Sequence, residues 1–168
     1  MPETTGQPNA RWAWWYSFPL ALLGLADSAY LTYTHFNGNK LAGCAAGGHV
    51  DCTRVTTSSQ SEIFGHIPVA VVGLVYFALM VVLMTPWAWQ MRNEWVHRFR
   101  LLATGGAMGM VVYLVLVEIH LKAICEYCTG VHIINFLLFF VVLAAFLFRP
   151  IPGAPAAAPA RKAGSQRR

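Results

Sequence analysis

The stretch "YLVLVEIHLKAICEYCTG" (Tyr113–Gly130) decides how the chain is read. An apolar run closes on two cysteines three residues apart, Cys125 and Cys128, and "VHIINFLLFFVVL" (Val131–Leu143) then begins a second apolar run. Working outward, four such runs emerge: Trp14 to His35, Ile67 to Pro86, Leu101 to Ala123 and Thr129 to Phe148. Each is close to the ~20 residues a helix needs to cross a hydrocarbon core. The polar stripe of a soluble amphipathic helix is almost absent from them. Composition agrees, because the 168 residues are 57% hydrophobic and only 11% charged, against roughly 25% charged in an average soluble domain. The expectation is an all-α membrane protein, a bundle of four transmembrane helices. The first run exceeds the roughly 7–15 apolar residues of a signal peptide and reads as a retained helix. Residues 12–148 form one membrane domain on this reading. Residues 1–11 and 149–168, rich in Pro, Ala and Gly, read as disordered tails.

Four spans place both termini and the connection between spans two and three on one side. That side holds Arg11, Arg92, Arg98, Arg100, Arg149, Arg161, Lys162, Arg167 and Arg168, whereas the other holds Lys40, Arg54 and Lys122. This asymmetry is the positive-inside signal and makes both termini cytoplasmic. The six tryptophans (Trp12, Trp14, Trp15, Trp87, Trp89, Trp95) fall near the basic side, as an interfacial belt would. The dispersed charges, with no recognition motif, argue against nucleic-acid binding.

All four cysteines then face outward, Cys44 and Cys52 in the first outer loop and Cys125 and Cys128 after span three. Disulfides persist in such a compartment. Three readings compete: two structural disulfides, a zinc site, and a redox relay. The seven-residue gap in the first pair is unlike most zinc modules, so no metal is assigned. Redox chemistry gains from position, since a C-x-x-C pair at a helix start has its thiolate favoured by free backbone N–H groups. On a helix the two sulfurs would share a face, with Cys128 about 4.5 Å deeper. Cys125 is then expected toward water and Cys128 toward lipid, where a quinone could take electrons. The loop "FNGNKLAGCAAGGHVDCTRV" (Phe36–Val55), with glycines at 38, 43, 47 and 48, reads as a swinging shuttle. Cys52 would exchange with Cys125, and Cys44 with an outside thiol protein. A DsbA-type partner, at about −120 mV, needs a better electron acceptor, and a bilayer quinone is the simplest one.

These residues resemble the vitamin K epoxide reductase family in its bacterial, single-domain form. The likeness covers roughly Trp12 to Phe148. It rests on Cys44 and Cys52 eight apart, Ser58 six residues later, "FGHIPVAVVGLVY" (Phe64–Tyr76) and "YLVLVEIHLKAICEYC" (Tyr113–Cys128). The resemblance implies a four-helix bundle around a quinone of the ubiquinone or menaquinone type, with a short half-embedded helix after the loop cysteines covering the pocket. It also implies a bacterial inner-membrane location and a separate thioredoxin-fold partner outside the cytoplasm. Cys128 would face the quinone, Cys125 resolve with it, and Cys52 and Cys44 carry electrons in. Ser58, Phe64, Tyr76 and His132 are the expected quinone contacts. The asparagine and tyrosine thought to anchor the quinone in vertebrate members align approximately with Val69 and His132, which sets epoxide reduction and vitamin K apart as an alternative activity.

Several polar residues complete the picture. Ser59 and Glu62 have capping-box spacing in "SQSE", which predicts a short amphipathic helix ending at Gly65. Ser58 would cap it or orient a quinone carbonyl. Pro68 suits the first turn of span two. Asp27, Glu118 and His120 are ionisable groups within spans and so functional candidates, although Glu118 and Lys122 at i,i+4 read as an ion pair. His132, one turn beyond Cys128, could bond a quinone oxygen, supply a proton, or be a buried structural histidine. Two rival functions stand beside the relay: a DsbB-like enzyme, whose C-x-x-C lies instead in the first outer loop, and a non-enzymatic scaffold with structural disulfides.

Overall fold

Helix starts are set by capping residues more than by where the apolar runs begin. In the computed structural model, which describes residues 10–38, 41–44, 50–63, 67–91 and 93–148, α1 spans Ala10–Asn37 and α5 spans Glu94–Leu121. The α5 start lies seven residues before the apolar run, because Asn93 caps it by accepting from the Trp95 N–H. Helix α6, Glu126–Leu147, starts ahead of Thr129 because Cys125 serves as its N-cap. Helix α3, Val69–Leu83, is shorter than its predicted span, at 15 residues. Pro68 precedes it as an extended N-cap, and Thr85 caps the separate helix α4, Pro86–Gln90. The expected tails, apart from the start of α1, lie outside the described residues, as do Lys40, Gly47, Gly48, Phe64, Gly65 and Arg92.

Helix α1 packs against both α3 and α6, and α6 also packs against α5. Close approach is built on small residues, as in many membrane helix pairs. A Cβ on Gly24 would run into the Phe77 ring, and one on Gly73 would lie 3.3 Å from Ser28 Oγ. Phe77, Met80, Leu138 and Val142 fill the core with Ala13 and Ala21. The outward faces stay apolar: Leu102 is 74% exposed and Ile119 67%. Among the described residues α5 and α6 are long and apolar enough to cross a membrane, and only 17% and 22% of their apolar windows are buried. Core helices of a soluble protein would be mostly buried, so these two faces suit lipid.

The segment after the loop cysteines departs from expectation. In place of an amphipathic helix closed by a capping box there is α2, Cys52–Thr56, then a 3₁₀ turn at Ser59–Ser61. A two-residue strand β1, Glu62–Ile63, follows and pairs antiparallel with β2, Ile67–Pro68. Glu62 sits opposite Pro68 in that ladder, so it cannot serve as the third residue of a helix. The Ser58 hydroxyl donates to Val55 O at 2.9 Å and makes no cap bond, and Ser61 Oγ donates to Thr56 O at 2.9 Å. These hydroxyls close the end of α2 and leave the chain extended beyond it.

Candidate functional site

The described parts of the loop that carries Cys44 and Cys52 are bonded to the helices beside them. Gly38 and Gly43 have φ of +61° and +79°, which lets the chain double back after α1. Tyr30 and Tyr127 then grip the loop at one residue. Tyr30 Oη accepts the Ala42 N–H at 3.0 Å, and Tyr127 Oη donates to the Ala42 carbonyl at 2.6 Å. Cys44 and Cys52 form a disulfide. Asp51 N–H donates to Ile124 O at 3.1 Å, in a parallel bridge that aligns Val50 with Ile124. Its side chain caps α2 by accepting from the Arg54 N–H at 3.0 Å. The backbone before Cys52 is thereby fastened to the backbone before Cys125. The two cysteines are buried in one cluster with Leu31, Leu41, Val55 and Ala123.

The C-x-x-C geometry follows from how α5 ends. Lys122 takes a left-handed φ of 52°, which turns the chain out of the helix. Glu118, a turn earlier, accepts the Cys125 N–H on Oε1 at 3.3 Å. It is therefore bonded to the cysteine turn rather than paired with Lys122. Cys125 Sγ accepts the Cys128 N–H at 3.2 Å, as an N-cap side chain does. Hydrogen bonding, first with the Cys128 side chain and then with its backbone, holds the Cys125 thiol below its ordinary pKa, against desolvation and the Glu118 charge. Cys125 is fully buried, not turned toward water, because an N-cap in extended conformation directs its side chain back over the helix start. Cys128 is half-buried, and both thiols are free.

Cys128 lies in the wall of a cavity of about 310 Å³ bounded by α1, α3, α5 and α6. The wall is mainly apolar, with Val69, Val72, Met110, Leu114 and Val131 among its residues. Its polar groups are Ser28, His35, Thr56, Ser61, Tyr76, Glu118, His132 and Asn135. Tyr76 Oη donates to Asn135 Oδ1 at 2.6 Å. This size and mixture, a few fixed polar groups on an apolar wall, is that of a site for a small organic ligand.

Of the residues singled out from sequence, Cys128, Tyr76, Glu118, His132 and Val69 meet in this wall. Ser58 is not among the lining residues, and Ser61 and Thr56 occupy that stretch of wall. Asn135 is a group that the sequence reading passes over, although the signal was present. It lies seven residues after Cys128 and three after His132, so helical periodicity puts all three on one face.

A model of the vitamin K epoxide reductase family matches residues 8–143. No curated protein matches the chain.

Proposed function

The chain belongs to the vitamin K epoxide reductase family, a family of membrane oxidoreductases, and from that premise we propose that it passes electrons from an outer thiol protein to a membrane quinone. The observation that carries this reading is the placement of the sulfurs. Cys52 and Cys125 are buried in one cluster, while Cys128 forms part of the cavity wall. The mixed burial of the loop pair supports a docking role for Cys44, which is half-buried where Cys52 is 1% exposed.

The relay balances as follows. A dithiol on a thioredoxin-fold partner reduces the Cys44–Cys52 disulfide and is itself oxidised. The Cys52 thiolate attacks Cys125 of an oxidised C-x-x-C pair and releases the Cys128 thiolate. Cys44 then attacks Cys52, closing the loop disulfide and freeing Cys125. The bonding seen here, with the loop pair closed and the C-x-x-C pair open, is the distribution that follows this exchange. A quinone of the ubiquinone or menaquinone type accepts the two electrons and two protons given up as Cys125 and Cys128 close to a disulfide. Glu118 fixes the Cys125 backbone throughout, and Tyr76 and His132 offer polar atoms inside the cavity.

In the membrane, α1, α3, α5 and α6 serve as the four spans of a domain covering residues 12–148. Both termini lie on the cytoplasmic side of a bacterial inner membrane, in accord with the basic asymmetry of the sequence. Helix α3 is only ~22 Å long, and the β1–β2 hairpin that precedes it makes up the outer part of that span. The reading is tested with purified protein, a small dithiol and a soluble quinone, following quinol absorbance. Cys125→Ala and Cys128→Ala abolish turnover, whereas Cys44→Ala and Cys52→Ala lose the protein partner but retain activity with the small dithiol. Equal loss in all four folded variants contradicts the relay. A C-x-x-C pair that does not re-form when quinone is added identifies a structural bridge instead.

A further inference from the structure

We propose that Asn135 is a ligand-binding residue of the cavity: its side-chain Nδ2 donates a hydrogen bond to a carbonyl oxygen of the bound quinone, and Tyr76 holds the amide in that orientation. The inference rests on the quinone reading above and adds the recognition group that reading lacks.

A carboxamide has one acceptor oxygen and two donor hydrogens on opposite arms. Tyr76 fixes which arm faces where, since its hydroxyl donates to Asn135 Oδ1 at 2.6 Å across the gap between α3 and α6. Nδ2 is thereby turned away from Tyr76. Asn135 is 2% exposed, and its Nδ2 is buried with no hydrogen-bond partner among the described residues. A buried donor without a partner is costly, and native proteins keep few of them. Here the unpaired donor belongs to a residue that lines the cavity, on the same helical face as Cys128. A ligand that reaches the Cys128 sulfur therefore meets this donor as well.

The chemistry of the complement is narrow. Nδ2 asks for an acceptor, and the largely apolar wall asks for an uncharged, mostly hydrocarbon body. A ring carbonyl on an apolar quinone meets both demands. The donor also strengthens its bond as the oxygen gains electron density on reduction, so it serves the reaction as well as binding.

The test uses the full-length protein in detergent, with menadione and a short-chain ubiquinone titrated separately and binding read from tryptophan quenching. A second readout is the infrared carbonyl band of ¹³C-labelled bound quinone. The wild type binds saturably with the carbonyl band below its position in detergent. Asn135→Leu and the near-isosteric Asn135→Asp, neither of which keeps the amide donor, bind about tenfold more weakly, the scale of one hydrogen bond. Their carbonyl band returns toward the detergent position. Tyr76→Phe keeps the donor but loosens it, and weakens binding about two- to threefold. Unchanged affinity and carbonyl frequency in a folded Asn135 variant overturn the role of Asn135 and leave the quinone site standing. Absence of saturable binding by the wild type overturns the quinone reading, and this inference with it. Should neither Asn135 variant fold, an unshifted carbonyl band in the wild type is by itself the contrary result.

Discussion

The two ends of the helix assembly bury polar groups in different surroundings, one a packed side-chain network and the other the wall of a cavity. At the end away from the cysteines, Arg100 is fully buried and bonds within the fold through Nε and Nη1. Nε donates to Leu83 O at 2.9 Å at the end of α3, and Nη1 donates to His97 Nδ1 at 2.8 Å. His97, accepting there, gives its Nε2–H to Met91 O at 3.1 Å. The guanidinium lies 4.2 Å from the Trp89 ring centre, and Trp89 Nε1 donates to Ser17 Oγ at 3.2 Å. At the cysteine end, Asp27 Oδ1 and Asn135 Nδ2 are buried with no partner among the described residues, and a cavity lies beside Asn135. The network around Arg100 spends polar groups on holding helices together. An end that leaves them open keeps them for something that arrives.

The sharpest way to break this contrast is to cut the Arg100 network. Arg100→Ala lowers stability by about 3 kcal/mol, because it strands the Leu83 carbonyl and the His97 ring in a buried site. Reversible unfolding in mixed micelles reads the loss, and the folded fraction keeps its quinone affinity. A change of under about 0.5 kcal/mol contradicts the structural role. At the open end the sharper variant is Glu118→Leu, which removes the acceptor for the Cys125 N–H and cuts quinone reduction about tenfold. Glu118→Gln keeps an acceptor oxygen and recovers most of the rate. Equal defects in both would point to the charge rather than the bond. The smallest effect is expected at Lys122, whose left-handed backbone costs a side chain about 1 kcal/mol. Lys122→Gly raises stability by about 0.5–1 kcal/mol in the same unfolding assay.

Much of this contrast was open to sequence reading, and its failures have physical causes. The cysteine spacing and apolar runs carry chemistry and hydropathy directly, so the helices and the C-x-x-C junction are legible. Helix ends are not, because Asn93 and Cys125 start helices on polar residues such as Glu94 and Glu126 that hydropathy alone assigns to loops. Arg100 counts as one more basic residue on the basic side until α3 ends short enough to present Leu83 O to it. Trp89 likewise reads as part of an interfacial belt, yet it is buried under that guanidinium, while Trp15, Trp87 and Trp95 stay exposed. The "SQSE" segment misleads because serine hydroxyls bond backward into α2 as readily as they cap a following helix. The grip on Ala42 is hidden from the sequence because it depends on two tyrosines far apart in it, Tyr30 and Tyr127.

The central claim is that electrons enter the C-x-x-C pair at Cys125, through Cys52, and leave toward the cavity from Cys128. The direct measurement is to trap the exchange. The Cys44→Ala/Cys128→Ala double variant lacks both thiols that could resolve a mixed disulfide between Cys52 and Cys125, so oxidation of that variant should accumulate an internal bridge. Peptide mapping on non-reduced digests identifies it. Cys52–Cys125 is the expected main species, in keeping with the bridge between Val50 and Ile124 that seats the loop backbone beside Cys125. In the matching Cys125→Ala protein, a Cys52–Cys128 or Cys44–Cys128 bridge should form poorly. Ready formation of either, with little Cys52–Cys125 in the first variant, would reverse the order of transfer and make Cys125 the sulfur that faces the quinone.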